Sequence, residues 1–204
     1  MKKKTVVYID GENFLHRVED SLKDAKIIKK KEEILHLRVR ELLRKSLGDT
    51  KLDEIRYYGT KIRTYDIKDE TFLDHAKKMV ESQRRFKRDL LNQKIDFIVA
   101  GSLRVRETVC FKCKKTSLVF KEKGVDVRLA VDLLSDAEAT KNLTQIVVSS
   151  DSDLLPALKK ARQKTRVIYV HHAEQPNYAM IKVSHESRVF TQEQIIEAYN
   201  EANK

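Results

Sequence analysis

Thr5-Val6-Val7-Tyr8-Ile9-Asp10-Gly11-Glu12-Asn13-Phe14 decides how the chain is read. Its first five residues are β-branched, aromatic or aliphatic and stop abruptly at Asp10-Gly11, which predicts a buried strand followed by a turn. Comparable apolar runs recur at residues 55–58, 97–100, 146–148 and 167–170, so five strands are expected. Helical spacing separates them, first in Ile34, Leu35, Val39, Leu42 and Leu43, then in Phe72, Leu73, Ala76, Met79 and Val80. Further helices are expected at residues 127–134, 154–162 and 192–200. Strands alternating with helices in this way predict an α/β fold whose mostly parallel sheet is covered on both faces.

In such a sheet, ligands collect beyond the C-terminal strand ends, where crossovers leave to opposite faces. Two of those places are acidic: Asp10 after the first run, and Ser149-Ser150-Asp151-Ser152-Asp153 after the fourth. Asn13, Asp126 and Asp132 sit near other strand ends or helix starts, so the fold can gather them. Two carboxylates about 4 Å apart repel by roughly 4 kcal/mol at an effective dielectric near about 20, and three or four together require compensation. Mg²⁺ or Mn²⁺ supplies it, because both take hard oxygen ligands, and Mg²⁺ in particular keeps several waters. A cation so held can ionise a water and neutralise charge on a phosphodiester, so phosphodiester hydrolysis is the expected reaction. Each acid also has a local explanation: Asp151 or Asp153 can cap a helix starting near Leu154, and Asp10 can close an Asp-Gly turn. One metal site explains them together.

The same residues carry a family resemblance. Tyr8-Ile9-Asp10-Gly11-Glu12-Asn13-Phe14 resembles the first signature of the NYN family. Lys121-Glu122-Lys123-Gly124-Val125-Asp126-Val127, with Asp132, resembles the second, and Val148-Ser149-Ser150-Asp151-Ser152-Asp153-Leu154 resembles the third. Their order fits, the likeness spans about residues 5–170, and the chain is similar to the bacterial and archaeal LabA-like branch. The resemblance implies a PIN-like three-layer α/β/α sandwich and metal-dependent RNA cleavage. By motif, Asp10, Asp126, Asp151 and Asp153 are the implied metal ligands. Asp132 is an additional carboxylate acting directly or through water, and Asn13 orients Asp10 or a water on the metal. Lys123, Ser149 and Ser150 are implied to meet the substrate, although a solvated lysine at a turn accounts for Lys123 equally well. One departure concerns residues 171–190, which lack the Asp found near a terminal Phe in many relatives and carry Ser184-His185-Glu186 instead.

The 42 Lys and Arg outnumber the 31 Asp and Glu, for a formal charge of +11. That favours a polyanionic partner, because basic side chains displace counterions from phosphates. The charge concentrates at Arg84-Arg85-Phe86-Lys87-Arg88, at Arg104-Val105-Arg106 and over residues 112–123, interleaved with Phe86, Phe111 and Phe120. Beside the carboxylates, these segments would form a cationic path with base-stacking platforms for single-stranded RNA, Arg104 and Arg106 binding substrate. On the far side they would be solvated surface.

Cys110 and Cys113 have the spacing of half a zinc site, but structural zinc takes four ligands and the chain has no second cysteine pair. A hairpin insertion is the favoured reading over a structural Zn²⁺ completed by His36, His75, His171, His172 or His185, or by a second subunit. A homodimer is left open. Two cysteines are too few for a disulfide framework, no 18 apolar residues run together, and the apolar stretch after Met1-Lys2-Lys3-Lys4 is too short for a signal peptide. A cytoplasmic protein without a membrane partner is expected. Five Gly and two Pro leave little linker material, so residues 1–204 are read as a single domain. It carries a Cys-containing insertion around residues 104–120 and a C-terminal helix around residues 191–201.

The leading expectation is a Mg²⁺- or Mn²⁺-dependent endoribonuclease preferring single strands. The alternative is a catalytically weak RNA-binding or regulatory module of the same family. A phosphatase of the haloacid-dehalogenase kind would want a second Asp two residues after Asp10, where this chain has Glu12.

Overall fold

A computed structural model describes residues 3–30, 33–34, 37–65, 67, 69–109 and 111–201. The chain runs β1 (Lys4–Asp10), α1 (Gly11–Asp24), α2 (Val39–Leu47), β2 (Glu54–Ile62), α3 (Glu70–Asn92), β3 (Asp96–Val109), β4 (Thr116–Lys123), α4 (Val125–Ala139) and β5 (Leu143–Val148). A short 3-10 turn (Ser152–Leu154) then leads into α5 (Leu155–Ala161), β6 (Arg166–His172), α6 (Tyr178–Val183), β7 (Glu186–Phe190) and α7 (Gln192–Asn200). The strands form one sheet in the order β4-β3-β2-β1-β5-β6-β7. Only the β3–β4 pair is antiparallel.

The α/β class and the mostly parallel sheet agree with the sequence reading, but the sheet has seven strands rather than about five. β4 and β7 account for the difference. β4 alternates exposed and half-buried residues, and β7 buries only Phe190, so neither shows the unbroken apolar run of an inner parallel strand. Helix α1 was hidden for another reason. Its buried stripe of Phe14, Val18 and Leu22 follows Asp10-Gly11 directly, without the expected turn. Asp10 ends the strand and caps the helix at once, its Oδ1 accepting the Asn13 backbone N–H at 3.3 Å. Ile34 and Val39 do not share a helix: α2 starts at Val39, while Leu35 and His36 lie outside the described residues.

Apolar side chains bury on both faces. On one, Val7, Ile9, Ile146 and Val148 meet α1, α2 and α7; on the other, Tyr8, Tyr58, Val147 and Tyr169 meet α4, α5 and α6. The second face also holds polar groups with internal partners. Tyr8 donates to Asp136, Gln145 donates to Tyr8, and Arg56 bridges Glu54 and Asp136. Such partners offset the desolvation of groups that would otherwise destabilise the core. No helix among the described residues is long and apolar enough to cross a membrane.

The β1–α1 junction is fixed by a close approach. An added β-carbon at Gly11 would lie 2.3 Å from Tyr57 Cε1 and 2.4 Å from the Tyr58 carbonyl oxygen, while the Tyr57 hydroxyl donates to the Gly11 carbonyl at 2.8 Å. Gly11→Ala is therefore expected to lower unfolding stability by about 1–3 kcal/mol through overpacking, read from the urea midpoint at constant m-value.

Candidate active site

Strands β1 and β5 lie side by side, with Ile9 opposite Val148, and end at the same edge. The helix after β1 packs on one face of the sheet and the helix after β5 on the other, so this edge is a topological switch point. A cavity of about 420 Å³ opens there, lined by Asp10, Glu12, Asn13, His16 and Arg17 from the β1–α1 side, by residues 122–126 from the β4–α4 turn, and by Asp151 after β5.

Hydrogen bonds hold the cavity floor. The Ser149 hydroxyl donates to Asp10 Oδ2 at 3.0 Å and accepts the Asp151 N–H at 3.0 Å. Asn13 Oδ1 accepts both the Ser150 N–H and its hydroxyl at 3.0 Å, and Asn177 donates to the Ser150 carbonyl. Asp151 Oδ1 caps the 3-10 turn by accepting the Asp153 N–H at 2.9 Å. Local capping and presentation to the cavity thus coexist in Asp10 and Asp151. On the remaining side, Gly124 enters α4 with φ 91°, a left-handed backbone that suits glycine, and so brings Lys123 and Asp126 to the cavity.

Five carboxylates line this space against the guanidinium of Arg17 and the ammonium of Lys123. Asp10 is only 7% exposed. Burial pushes its pKa up, and the negative charges of Asp151 and Glu12 push in the same direction, while hydrogen bonds from Ser149 and Asn13 pull it back.

The NYN domain family matches residues 4–191. The chain belongs to the NYN family. That family is part of the PIN-like superfamily and is generally nuclease-like, which makes a hydrolase the coarse assignment. No curated protein matches the chain. A crystal structure of a protein of unknown function from Vibrio parahaemolyticus aligns at TM-score 0.51 and 12% identity, covering 92% of this chain and 93% of that one. At that identity the likeness is one of fold. A Sir2 structure in complex with an inhibitor, 2'-O-acetyl-ADP-ribose and a deacetylated peptide aligns at TM-score 0.36 and 12% identity over 97% of this chain and 91% of that one, too weak a likeness to bear on either fold or function.

Not every motif residue of this NYN domain reaches the cavity. Asp10, Asn13, Lys123, Asp126 and Asp151 line it; Asp132 and Asp153 do not. Asp132 accepts from the Tyr58 hydroxyl at 3.1 Å and from Arg128 Nε at 2.9 Å, and Asp153 is exposed on the 3-10 turn. Ser149, expected to meet substrate, is 4% exposed and fully engaged inside the site. Ser150 is clasped by Asn13, and Arg17 Nη2 reaches its hydroxyl at 3.4 Å. Asn13 therefore positions the Asp151 loop with its side chain and touches Asp10 only through its backbone. Arg17 belongs to none of the three motifs, yet it sits one turn beyond Asn13 on the same helix face, a spacing visible in the sequence.

The aromatic platforms also change. Phe86 is buried edge-on against Tyr57, and Phe120 packs on Phe72 and His75. Neither is open to a base, and only Phe111, 89% exposed beside Lys114, is. Arg84, Arg85 and Arg88 on α3 are exposed but do not line the cavity. Cys110 and His36 lie outside the described residues, and Cys113 is exposed in the turn between β3 and β4. The strand order puts His171, His172 and His185 toward the opposite edge of the sheet, and His75 stacks on Phe120, so those four do not meet Cys113. In the Ser184-His185-Glu186 segment, His185 Nδ1 accepts the Val167 N–H and Glu186 pairs with Arg166 and Arg188.

Asp10→Asn keeps one accepting oxygen for the Asn13 N–H, turns the Ser149 contact into an amide N–H that donates to the hydroxyl, and removes the buried charge. In metal-free buffer near neutral pH its melting temperature should equal or exceed that of the parent. The parent alone should lose stability as pH rises from the ordinary carboxylate value toward the raised folded value, because the folded state holds that proton more tightly. Thermal melts across pH in the presence of EDTA read both effects.

Proposed function

We propose that this NYN domain is a metal-dependent endoribonuclease acting on single-stranded RNA. The observation that supports it is the meeting of Asp10, Asp126 and Asp151, distant in sequence and one from each family motif, around one open cavity. Among the described residues no three His, Cys, Asp or Glu side chains are grouped tightly enough to hold a bare ion. The donors are nevertheless all hard oxygens around water-accessible space, which fits a Mg²⁺ or Mn²⁺ that keeps much of its hydration and meets only one or two carboxylates directly. Burial, and then the charges of Asp151 and Glu12, disfavour the Asp10 carboxylate, and a cation in the cavity would relieve that cost.

Asp10, Asp126 and Asp151 would hold the cation, one or two of them directly and the rest through its waters; Asp153 and Asp132 do not line the cavity and would act only through intervening water. When bound, the ion supplies a more acidic water and neutralises charge on the phosphodiester. Lys123 and Arg17 bring positive charge to the same cavity and bind the non-bridging phosphate oxygens. Ser149, Ser150 and Asn13 keep the two acidic loops in register, which limits reorganisation during reaction. Substrate form follows from access: a flexible strand can turn its backbone toward a recessed floor, whereas an A-form duplex cannot.

Asp10→Asn and Asp151→Asn should each lower Mn²⁺-dependent cleavage of a labelled single strand by about 10²-fold or more, while RNA affinity in EDTA changes little. Mn²⁺ should also raise the melting temperature of the parent more than that of either variant. Full activity in both variants refutes the assignment. The looser spacing of the acidic side chains among the described residues favours a second reading, an RNA-binding module with a metal site too weak for cleavage. RNA binding without metal-dependent decay at any Mn²⁺ concentration would select it. For an active protein, annealing the RNA to its complement should slow the initial cleavage rate, and equal or faster cutting of the duplex would remove the single-strand preference.

A further inference from the structure

Strand β2 stops pairing with β3 at Ile62, opposite Leu103. Beyond that point β3 and β4 continue alone, out to Val109 opposite Thr116. At about 3.4 Å per residue, the end of this two-stranded arm stands on the order of 20 Å beyond the sheet.

The two faces of the arm differ. Phe120 packs on Phe72 and His75 of α3, and Val105 lies opposite Phe120. Directly paired residues share a face and alternate residues return to it. The other face therefore carries Arg104 across from Lys121, Ser102 across from Lys123, and Arg106 across from Val119. Arg104, Arg106, Lys121 and Lys123 are all exposed, and none has an ion-pair or side-chain hydrogen-bond partner among the described residues. Thr108 and Ser117 complete this face, so it holds no acidic residue. Successive cations on one strand are about 7 Å apart.

Lysines on an edge strand also deter sheet-to-sheet pairing. That need does not require one face to be free of acids, nor the stripe to run into a cavity, as this one does at Lys123. At the far end stands Phe111, exposed, with Lys114 Nζ 4.8 Å from its ring centroid. A row of cations, followed across the Thr108–Ser117 pair by an open aromatic ring at the tip, matches the general chemistry of single-strand binding, in which the backbone follows positive charge and a base stacks.

We propose that the β3–β4 arm holds the backbone of a single-stranded RNA to one side of the scissile bond, so that the footprint is lopsided and good substrates carry a tail long enough to follow the arm. This rests on the reading of the protein as an RNA-directed nuclease. A duplex is disfavoured because its phosphates diverge around a cylinder, whereas the arm offers a nearly linear track.

The test measures binding in EDTA, separately from cleavage, by fluorescence anisotropy with single strands of roughly 4 and roughly 15 nucleotides. The parent should prefer the longer strand by at least about tenfold, and Arg104→Ala/Arg106→Ala/Lys121→Ala should lose most of that preference. For the long strand, the slope of log affinity against log salt should shrink by about 2 in the triple variant, three lost phosphate contacts at about 0.7 each. Arg104→Lys/Arg106→Lys should retain the parent slope, which separates loss of charge from loss of fold. Mapped on an end-labelled long strand, parental cuts should avoid the last few nucleotides at one end and not at the other. An unchanged slope in a folded triple variant, absence of length preference in the parent, or equal affinity for a duplex overturns the arm. Length-dependent, salt-sensitive binding with no cleavage supports the arm as an RNA surface and removes the nuclease reading instead.

Discussion

The Ser149 hydroxyl donates to Asp10 and accepts from the Asp151 backbone, each at 3.0 Å, in a place water hardly reaches. That double use of one oxygen sets the distance between the ends of β1 and β5. Asn13 adds a second clasp to the same loop through Ser150. The first carboxylate has no slack of its own, because α1 begins at the next residue and Tyr57 packs beneath Gly11. The site is thus built from the sheet outward, with the β4–α4 turn delivering its third side.

Two electrostatic tendencies meet at this edge. The chain as a whole carries +11, which draws phosphate-rich polymers from a distance, yet the cavity collects five carboxylates. A phosphate that arrives there alone meets like charge. In the proposed reading, a divalent cation at the floor, with Lys123 and Arg17 at its sides, would reconcile long-range attraction with local repulsion, a division that would suit capture of a polyanion followed by action on one linkage of it.

How much of this could be read from residues alone depended on how deeply each element is buried. The inner strands β1, β2, β5 and β6 announce themselves as apolar runs, and Asp10 and Asp151 follow from looking just past two of those runs. The edge strands are quieter: β4 alternates because one of its faces is wet, and β7 buries a single residue. Helix α1 was concealed by Asp10-Gly11, a pair that signals a turn in isolation but here serves as a helix start. Asp132 and Asp126 both lie on α4, and spacing alone could not tell which faces the cavity and which meets Tyr58 and Arg128. Phe86 and Phe120 look alike in sequence to Phe111, and only packing separates the two that are covered from the one that is open.

Asp10 and Ser149 are separated by 139 residues. β1 cannot take its central place until β5 has been synthesised and has closed against it, and parallel pairings of such separation form late because the loop entropy must be overcome first. During synthesis the N-terminal motif therefore leaves the ribosome long before its partners. The acidic pocket can form only once β5 and the loop after it are present, and a nascent chain ending before β5 carries the first motif without its partners. For a chain with a formal charge of +11, this order of assembly delays any hydrolytic competence until translation has passed the third motif.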